Sequence, residues 1–170
     1  MMTITSHPMY LLDSDVFIRA SRGYYAFDIA PRFWESLEQL ALNGRIQSID
    51  RVLRELNREE DELKRWANEK FIATFVSTDE PNVIHIYGEM MEWVQSHKQF
   101  TGAAKAEFAD ARNADAWLVA YAKAHGLVVI TNEVLNTKIK KRVPIPNVCQ
   151  AFNVLWDNDI AMIRALGIKL

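Results

Sequence analysis

Short apolar runs alternate along the chain with longer segments that carry apolar residues at helical spacing. Residues 9–13 form an apolar run that ends in a carboxylate, and residues 127–130 are rich in β-branched side chains. Residues 46–49 form a further short run of this kind, and residues 71–76 could form either a strand or a loop. The pattern therefore predicts short strands, the first of them buried on both faces.

The segments between these runs are predicted to be helices. A short helix is expected directly after Asp13, and Pro31 suits the first position of the next helix, which would stop at Asn43–Gly44. Residues 50–70 keep one apolar face throughout and predict a single long helix, with residues 58–62 on its solvated side. Further helices are predicted at residues 82–97, 103–109, 113–125 and 158–166.

Strands that alternate with helices are typical of an α/β fold with a parallel sheet. In open sheets of this kind, functional sites lie at the carboxyl ends of the strands. Two predicted strands end in loops that carry acids, Asp13-Ser14-Asp15 and Thr131-Asn132-Glu133. These two loops are the first indication of a functional site.

Composition narrows the class of protein. The 170 residues are 49% hydrophobic and 25% charged, which predicts one folded domain over residues 1–170. The formal net charge of -2 provides no overall basic field, so any nucleic-acid contact must come from a local patch. The single Cys149 cannot form an internal disulfide, and the sequence has neither a leader pattern nor a membrane-length apolar run. We therefore expect a soluble cytoplasmic protein that makes no membrane contact.

Each acid near the predicted site also has a simpler interpretation. Asp13 could cap the following helix, although Asp15 is the better cap by position. Glu55, at the edge of an apolar helix face, could pair with a nearby arginine, and Glu133 could be a solvated loop acid. Asp115 is more informative, because a charge on a helix with almost no other polar residue is costly unless it is paired or binds a metal.

Several carboxylates at one end of a sheet would repel each other, and a divalent cation would remove that cost. Ligand sets made only of oxygen suit Mg²⁺ or Mn²⁺. Such a metal can activate water and stabilise the oxygens of a phosphodiester during in-line hydrolysis. None of the four histidines belongs to a cluster of metal ligands, so a zinc site is not expected.

In chain order, the segments L-L-D-S-D, V-L-R-E-L, A-D-A-W-L-V-A-Y-A and V-V-I-T-N-E resemble the acid-bearing motifs of the PIN domain, the nuclease fold of many bacterial toxins. The segments D-E-L-K-R-W-A and I-P-N-V-C-Q-A-F are similar to a bacterial PIN-like subfamily formerly of unknown function, and the resemblance covers nearly the whole chain. It implies a PIN-like α/β/α sandwich with a central parallel sheet flanked by helices.

The resemblance also implies an activity and its residues. The implied function is a metal-dependent endoribonuclease that uses Mg²⁺ or Mn²⁺, the toxin of a type II toxin–antitoxin pair, with a cognate antitoxin and possible homodimerisation. The implied catalytic and metal-binding acids are Asp13, Glu55, Asp115 and Glu133, with Thr131 orienting the site and Ser14 and Asp15 supporting it. Many PIN domains have Asp where Glu133 stands, so direct and water-mediated metal contacts both stay open for this residue.

Basic residues near the acids are candidates for RNA contact, because an acidic centre needs positive charge beside it to hold a phosphate backbone. A solvated loop is the alternative interpretation for the cluster after Glu133. The candidates are Lys138, Lys140, Lys141 and Arg142 in that cluster, and Arg19 and Arg22 after the first strand.

Two other functions fit part of the pattern. A haloacid-dehalogenase-like phosphatase also begins with a strand and D-x-D, and would use Asp13 as its nucleophile. That interpretation leaves Glu55 and Asp115 without a role. A non-catalytic PIN-like module that binds RNA or protein is the second alternative, although all four implied acids are present.

Overall fold

The computed structural model describes residues 9–170. Residues 1–8, which begin the predicted domain and were expected to contain no leader, lie outside the described residues. In the described range, the strands are β1 (Tyr10–Leu12), β2 (Ile46–Ile49), β3 (Phe75–Val76), β4 (Val128–Ile130) and β5 (Trp156–Asp157). The helices are α1 (Ser14–Arg22), α2 (Pro31–Leu42), α3 (Asp50–Leu56), α4 (Glu62–Lys70), α5 (Pro81–Ser96), α6 (Gly102–Ala109), α7 (Asp115–His125), α8 (Ile145–Ala151) and α9 (Asp159–Leu166).

The five strands form one sheet in the order β3-β2-β1-β4-β5, and every neighbouring pair is parallel. In register, Tyr10 lies opposite Ile46 on one side and Val128 on the other. All three residues of β1 are buried, as the continuous apolar run predicted. The predicted parallel α/β architecture is confirmed.

The helices pack in two groups. Helices α1, α3 and α4 contact one another near β2, while α5, α6, α7 and α8 pack together near β4. Helix α7 is the most buried, because Ala116 to Ala122 are all inaccessible or nearly so, and it ends at Gly126, whose φ of +67° closes the helix in a left-handed cap. Within the described range, no helix is long and apolar enough to cross a membrane.

The long helix predicted over residues 50–70 is wrong, because the chain forms α3 and α4 with a break at residues 57–61. Asp61 starts the second helix by accepting a hydrogen bond from Lys64 N–H at 2.9 Å. The apolar face continues across the break, since Val52, Leu56, Leu63 and Ala67 are all buried. Periodicity therefore described the buried face correctly and could not reveal the interruption.

Two elements near the C-terminus were not predicted. Helix α8 is buried from Ile145 to Cys149, so it has no amphipathic pattern, and it includes Pro146. Strand β5 has only two residues, too few for an alternating pattern. Strand β5 pairs with β4, and helix α8 packs against α7.

Candidate acidic active site

The topology places one crevice at the carboxyl ends of β1 and β4. From β1 the chain goes on to β2 and β3 on one side of the sheet, and then returns to β4 on the other side. Loops that leave neighbouring strands in opposite directions open a crevice, which is where open α/β sheets bind ligands. Asp13 follows β1 directly and Thr131 follows β4 directly, so both lie at this crevice.

Asp13 is buried, with 4% of its surface exposed, and its carboxylate has two hydroxyl neighbours. Thr131 Oγ1 donates to Asp13 Oδ2 at 3.1 Å, and Ser14 Oγ donates to Oδ1 at 3.4 Å. The backbone N–H of Asp13 donates to Ile130 O at 3.0 Å, which fixes the residue against β4. Its carboxylate is thus held at the crevice by partners from both strand ends.

The prediction that Asp15 caps the first helix is wrong. Helix α1 begins at Ser14, so Asp13 takes the N-cap position and Asp15 lies within the first turn. The Asp13 backbone carbonyl accepts from Val16 N–H, while its carboxylate makes no capping bond. Asp13 therefore starts the helix with its main chain and keeps its side chain in the crevice.

Burial and neighbouring negative charge raise the pKa of Asp13 to about 7. Desolvation is the largest cause, followed by the charge of Glu133, while the hydrogen bond from Thr131 acts in the opposite direction. Glu55 and Asp15 add smaller repulsive contributions. The carboxylate consequently lies in a site where a second charge of the same sign is expensive.

Asp115 opens α7, and other side chains bind the first N–H groups of this helix. Asn113 Oδ1 accepts from Asp115 N–H at 2.9 Å, and Glu55 Oε1 accepts from Ala114 N–H at 3.2 Å. Burial raises the pKa of Asp115 well above its ordinary value, and the charges of Asp13, Glu133 and Glu55 raise it further. Asp13, Glu55 and Glu133 therefore all lie close enough to Asp115 to affect its ionisation.

Glu55 belongs to a face of α3 that holds the loop before Asp115. Arg51 Nη1 donates to Ala111 O at 2.8 Å, and Arg58 Nη2 donates to Arg112 O at 3.3 Å. With Glu55 on Ala114, two residues of α3 and Arg58, which lies just after its end, bind this one loop. Both arginines thus bind carbonyls of the loop rather than serving as the helical partners expected for Glu55. Their spacing in the sequence was compatible with this face, but the loop that it contacts was not foreseeable.

Glu133 is held by its own set of partners. Its backbone N–H donates to Thr131 Oγ1 at 3.2 Å, and its carboxylate forms an ion pair with Arg142. Burial raises the pKa of Glu133, while Arg142 and the Ile145 N–H lower it. Thr131 therefore connects two acids, because its hydroxyl donates to Asp13 and accepts from the Glu133 main chain.

The loop that carries the predicted basic cluster is anchored at several points, none of them predicted from the sequence. Asn147 is buried and binds Asn136 through both ends of its amide, at 3.0 Å to N and 2.8 Å to O. Gln99 Nε2 donates to Ile139 O at 2.7 Å. Arg142 reaches Glu133 from this fixed loop, while the cluster's three lysines are exposed at positions 138, 140 and 141.

The second predicted basic pair is less favourably placed. Arg19 lies 3.8 Å from Asp15 and both side chains are largely exposed. Arg22 ends α1, eight residues after Ser14 and thus about 12 Å along the helix axis from the crevice. The structure therefore brings Arg142 to the acids and does not bring Arg22 to them.

The oxygen ligands of this site suit a divalent cation, but their present arrangement does not form a metal site. Within residues 9–170, no three acidic, histidine or cysteine side chains are grouped closely enough to hold a metal ion as they stand. Glu55 accepts from Ala114 N–H, and Glu133 is paired with Arg142. The donor set is nevertheless all oxygen, and the shared repulsion at Asp13 and Asp115 is the cost that a hard cation removes.

Comparison with known families gives one match over almost the entire chain. The model of a family described as "Domain of unknown function (DUF4411)" matches residues 10–170. No curated protein sequence matches the chain.

Solved structures with the same fold share little sequence with this chain. The structure of VapBC2 from Rickettsia felis, bound to a DNA fragment from its promoter, has a TM-score of 0.55 at 18% identity, and the match covers 88% of this chain and 98% of that one. FitAcB from Neisseria gonorrhoeae gives a TM-score of 0.52 at 20% identity and covers 88% and 97%. FitAB bound to the IR36 DNA fragment gives 0.53 at 19% identity and covers 88% and 94%. The predicted PIN-like α/β fold is confirmed.

Proposed function

We propose that this chain, which belongs to the DUF4411 family and has a PIN-like fold, is a metal-dependent endoribonuclease. The observation that carries the proposal is the pair Asp13 and Asp115, two acids at the switch point of the sheet with raised pKa values and with Glu55 and Glu133 beside them. Such a concentration of negative charge is costly in a folded protein unless it has a use. Hydrolysis of RNA phosphodiester bonds is the use that we assign to it.

Asp13 and Asp115 are the residues that we assign to Mg²⁺ or Mn²⁺, since burial and neighbouring charge raise the pKa of both, while Glu55 accepts from Ala114 N–H and Glu133 is paired with Arg142. Bound there, the cation would supply an activated water and neutralise charge on the phosphate. Glu55 and Glu133 add negative charge to the site. The ion pair of Glu133 with Arg142 favours a water-mediated rather than a direct metal contact for Glu133. Thr131 keeps Asp13 and the Glu133 main chain in register.

RNA is the proposed substrate because fixed positive charge lies next to the acids. Lys138, Lys140 and Lys141 are exposed on a loop that other side chains anchor, so the lysines can contact a backbone without first ordering the loop. Arg142 connects this loop to the acidic centre.

The proposal extends to an antitoxin partner and to a toxin's role in the cell. Two solved structures of similar fold are DNA-bound assemblies named VapBC2 and FitAB. We propose that this chain likewise has a cognate protein encoded beside it, and that it forms homodimers. Co-expression with the neighbouring small reading frame should yield a stable complex with reduced cleavage, and an uncomplexed chain would contradict this part.

Incubation of the purified chain with single-stranded RNA and Mn²⁺ tests the nuclease. Cleavage should appear with Mn²⁺ or Mg²⁺, disappear with EDTA, and fall by about a hundredfold or more in Asp115→Asn. Glu59→Gln, a change at an exposed acid between α3 and α4, is the matched control and should cleave normally. Equal cleavage by Asp115→Asn would contradict the site.

Two outcomes would favour the alternatives. RNA binding without cleavage under any divalent metal would indicate a non-catalytic module. A covalent acyl-phosphate on Asp13 would indicate phosphatase chemistry, which the PIN-like fold does not favour.

A further inference from the structure

A polar cleft adjoins the acidic centre at Glu55 and Asp115. Its volume is about 510 Å³, and the lining residues are Glu55, Arg58, Glu107, Asp110, Arg112, Asn113 and Asp115. That volume lies within the range of about 300–1,000 Å³ typical of ligand sites. Because Glu55 and Asp115 form part of its wall, anything bound in the cleft lies directly beside the proposed reaction.

The two arginines of the cleft, Arg58 and Arg112, are held by hydrogen bonds to the loop before Asp115. Asp110 accepts from Arg112 Nε at 3.2 Å, from Nη2 at 3.0 Å and from the backbone N–H at 2.9 Å. These bonds lower the pKa of Asp110 to about 2. Arg58 is positioned by its bond to Arg112 O, and both arginines line the cleft.

Each arginine keeps donors for a ligand. Within the described residues, Arg112 Nη1 and Arg58 Nε and Nη1 make no hydrogen bond, and both side chains are exposed. A guanidinium with a fixed orientation and free donors is well suited to a phosphate oxygen, since little side-chain entropy is lost on binding. The two guanidinium groups can therefore bind a phosphate beside the acids.

The charges of the lining show what the cleft would accept. Four carboxylates and two guanidinium groups line it, so on its own it repels an anion. A divalent cation at the proposed site would offset the remaining two negative charges, and a phosphodiester could then reach the arginines. Anion binding in the cleft should consequently depend on the metal.

We propose that this cleft binds the backbone of single-stranded RNA next to the bond that is cleaved, with Arg58 and Arg112 contacting its phosphates. The inference rests on the proposed nuclease function and adds a subsite to it. The RNA would run from the cleft, across Asp115, to the loop that carries Arg142.

The test measures binding and cleavage separately in Arg58→Gln and Arg112→Gln. Binding of a fluorescent single-stranded RNA is measured with Ca²⁺, and cleavage with Mn²⁺. Each substitution should weaken binding about tenfold and raise KM, and should reduce the slope of log affinity against log salt by about 0.7, the value for one lost phosphate contact on a single strand. With EDTA the wild-type protein should bind more weakly, and the variants should differ from it less.

Arg65→Gln is the matched control, because Arg65 is an exposed arginine on α4 that lines a separate cavity. It removes the same charge and should leave binding and KM within about twofold. Arg58→Lys should restore part of the affinity, because it keeps the charge. Circular dichroism and thermal melting of each variant check that the fold is intact.

The outcomes separate the two proposals. Wild-type cleavage with unchanged binding and KM in both cleft variants would overturn the subsite and leave the nuclease standing. A chain that never cleaves RNA, but loses metal-dependent RNA binding in both variants, would overturn the nuclease and support the subsite. Equal weakening in Arg65→Gln would reduce the effect to general surface charge and overturn the subsite.

Discussion

Two neighbouring strands end in the same local arrangement and differ in what surrounds it. Asp13 follows β1 and accepts from Thr131 Oγ1 at 3.1 Å, while Asp50 follows β2 and accepts from Thr78 Oγ1 at 2.9 Å. In both cases the threonine comes from beyond the adjacent parallel strand. The two pairs thus tie together neighbouring strand ends in the same way.

The difference lies in the partners that complete each pair. The Asp50 carboxylate also accepts from the backbone N–H groups of Arg51 and Thr78, and Arg51 Nε donates to Thr78 Oγ1 at 3.2 Å. The guanidinium of Arg51 also lies 3.9 Å from the centre of the Trp117 ring. Asp50 is therefore surrounded by donors and a cation.

Asp13 is surrounded by acids instead, and its pKa rises to about 7. The comparison teaches that an aspartate–threonine pair at a strand end is not in itself a site. With donors around it the pair stabilises the fold, and with carboxylates around it the pair retains a charge that a ligand can satisfy.

Removing the charge of Asp13 and that of Asp50, each in its own variant, should give the largest difference between the two pairs. Asp13→Asn should lower RNA cleavage by about a hundredfold or more and leave the free energy of unfolding at pH 8 no lower, because a repelled buried charge is lost. Asp50→Asn should lower the free energy of unfolding by about 1–3 kcal/mol, because donors lose their charged partner, and should retain most of its cleavage. Urea denaturation and RNA cleavage of both variants test the contrast, and the reverse pattern would refute it.

Substitution of the two threonines, Thr131 and Thr78, should show the same contrast between activity and stability, with smaller effects. Thr131→Val keeps the shape and removes the hydroxyl between Asp13 and Glu133, so cleavage should fall about tenfold. Thr78→Val should instead lower the free energy of unfolding by about 1–2 kcal/mol. Cleavage rates normalised to folded protein are the measurement, and a fall in cleavage for Thr78→Val alone would contradict the assignment.

The pH dependence of stability should reveal Asp13 without any substrate. Its pKa is raised from 3.8 to about 7 on folding, so its contribution to stability is fully present below pH 4 and is lost as the pH rises through 7. In EDTA, the wild-type Tm should therefore fall between pH 5 and 8 more steeply than that of Asp13→Asn. Parallel curves would show that Asp13 ionises normally, and added Mn²⁺ should flatten the wild-type curve alone.

Arg142→Gln should have the smallest effect. It removes the cation that lowers the pKa values of Glu133 and Asp115, and so makes the acidic centre more repulsive. In EDTA at pH 8 the Tm should fall by about 1–3 °C, as expected for a partly exposed ion pair. Lys141→Gln, an exposed neighbour, serves as the control, and an equal fall there would contradict a specific pairing.

Part of this arrangement could be predicted from the sequence because it depends on local patterns. An apolar run that stops at Asp13, and a helix whose early turns are polar only at Asp115, both mark an unusual charge. Alternating strands and helices then bring the ends of the strands to one edge of the sheet. The break between α3 and α4 could not be predicted in this way, because the apolar periodicity continues through it.

The partners of the acids were beyond the reach of local patterns. Glu55 and Glu133 are examples, since the residues around them in the sequence do not indicate their partners Ala114 N–H and Arg142. Helix α8, whose Ile145 N–H lowers the pKa of Glu133, was missed because it is buried and carries no periodic pattern. Contacts between distant segments decide which charges are satisfied, and no local pattern contains them.

The face of α3 that holds the loop before Asp115 has a consequence for how the chain can change over evolution. Three bonds join residues 54 to 60 positions apart, from Arg51 and Glu55 of α3 and from Arg58 just after it to the segment 111–114. A substitution on the helix alters what the loop must offer, and a change in loop length removes partners from the helix. In related sequences these two segments should therefore vary together, because both determine the position of Asp115.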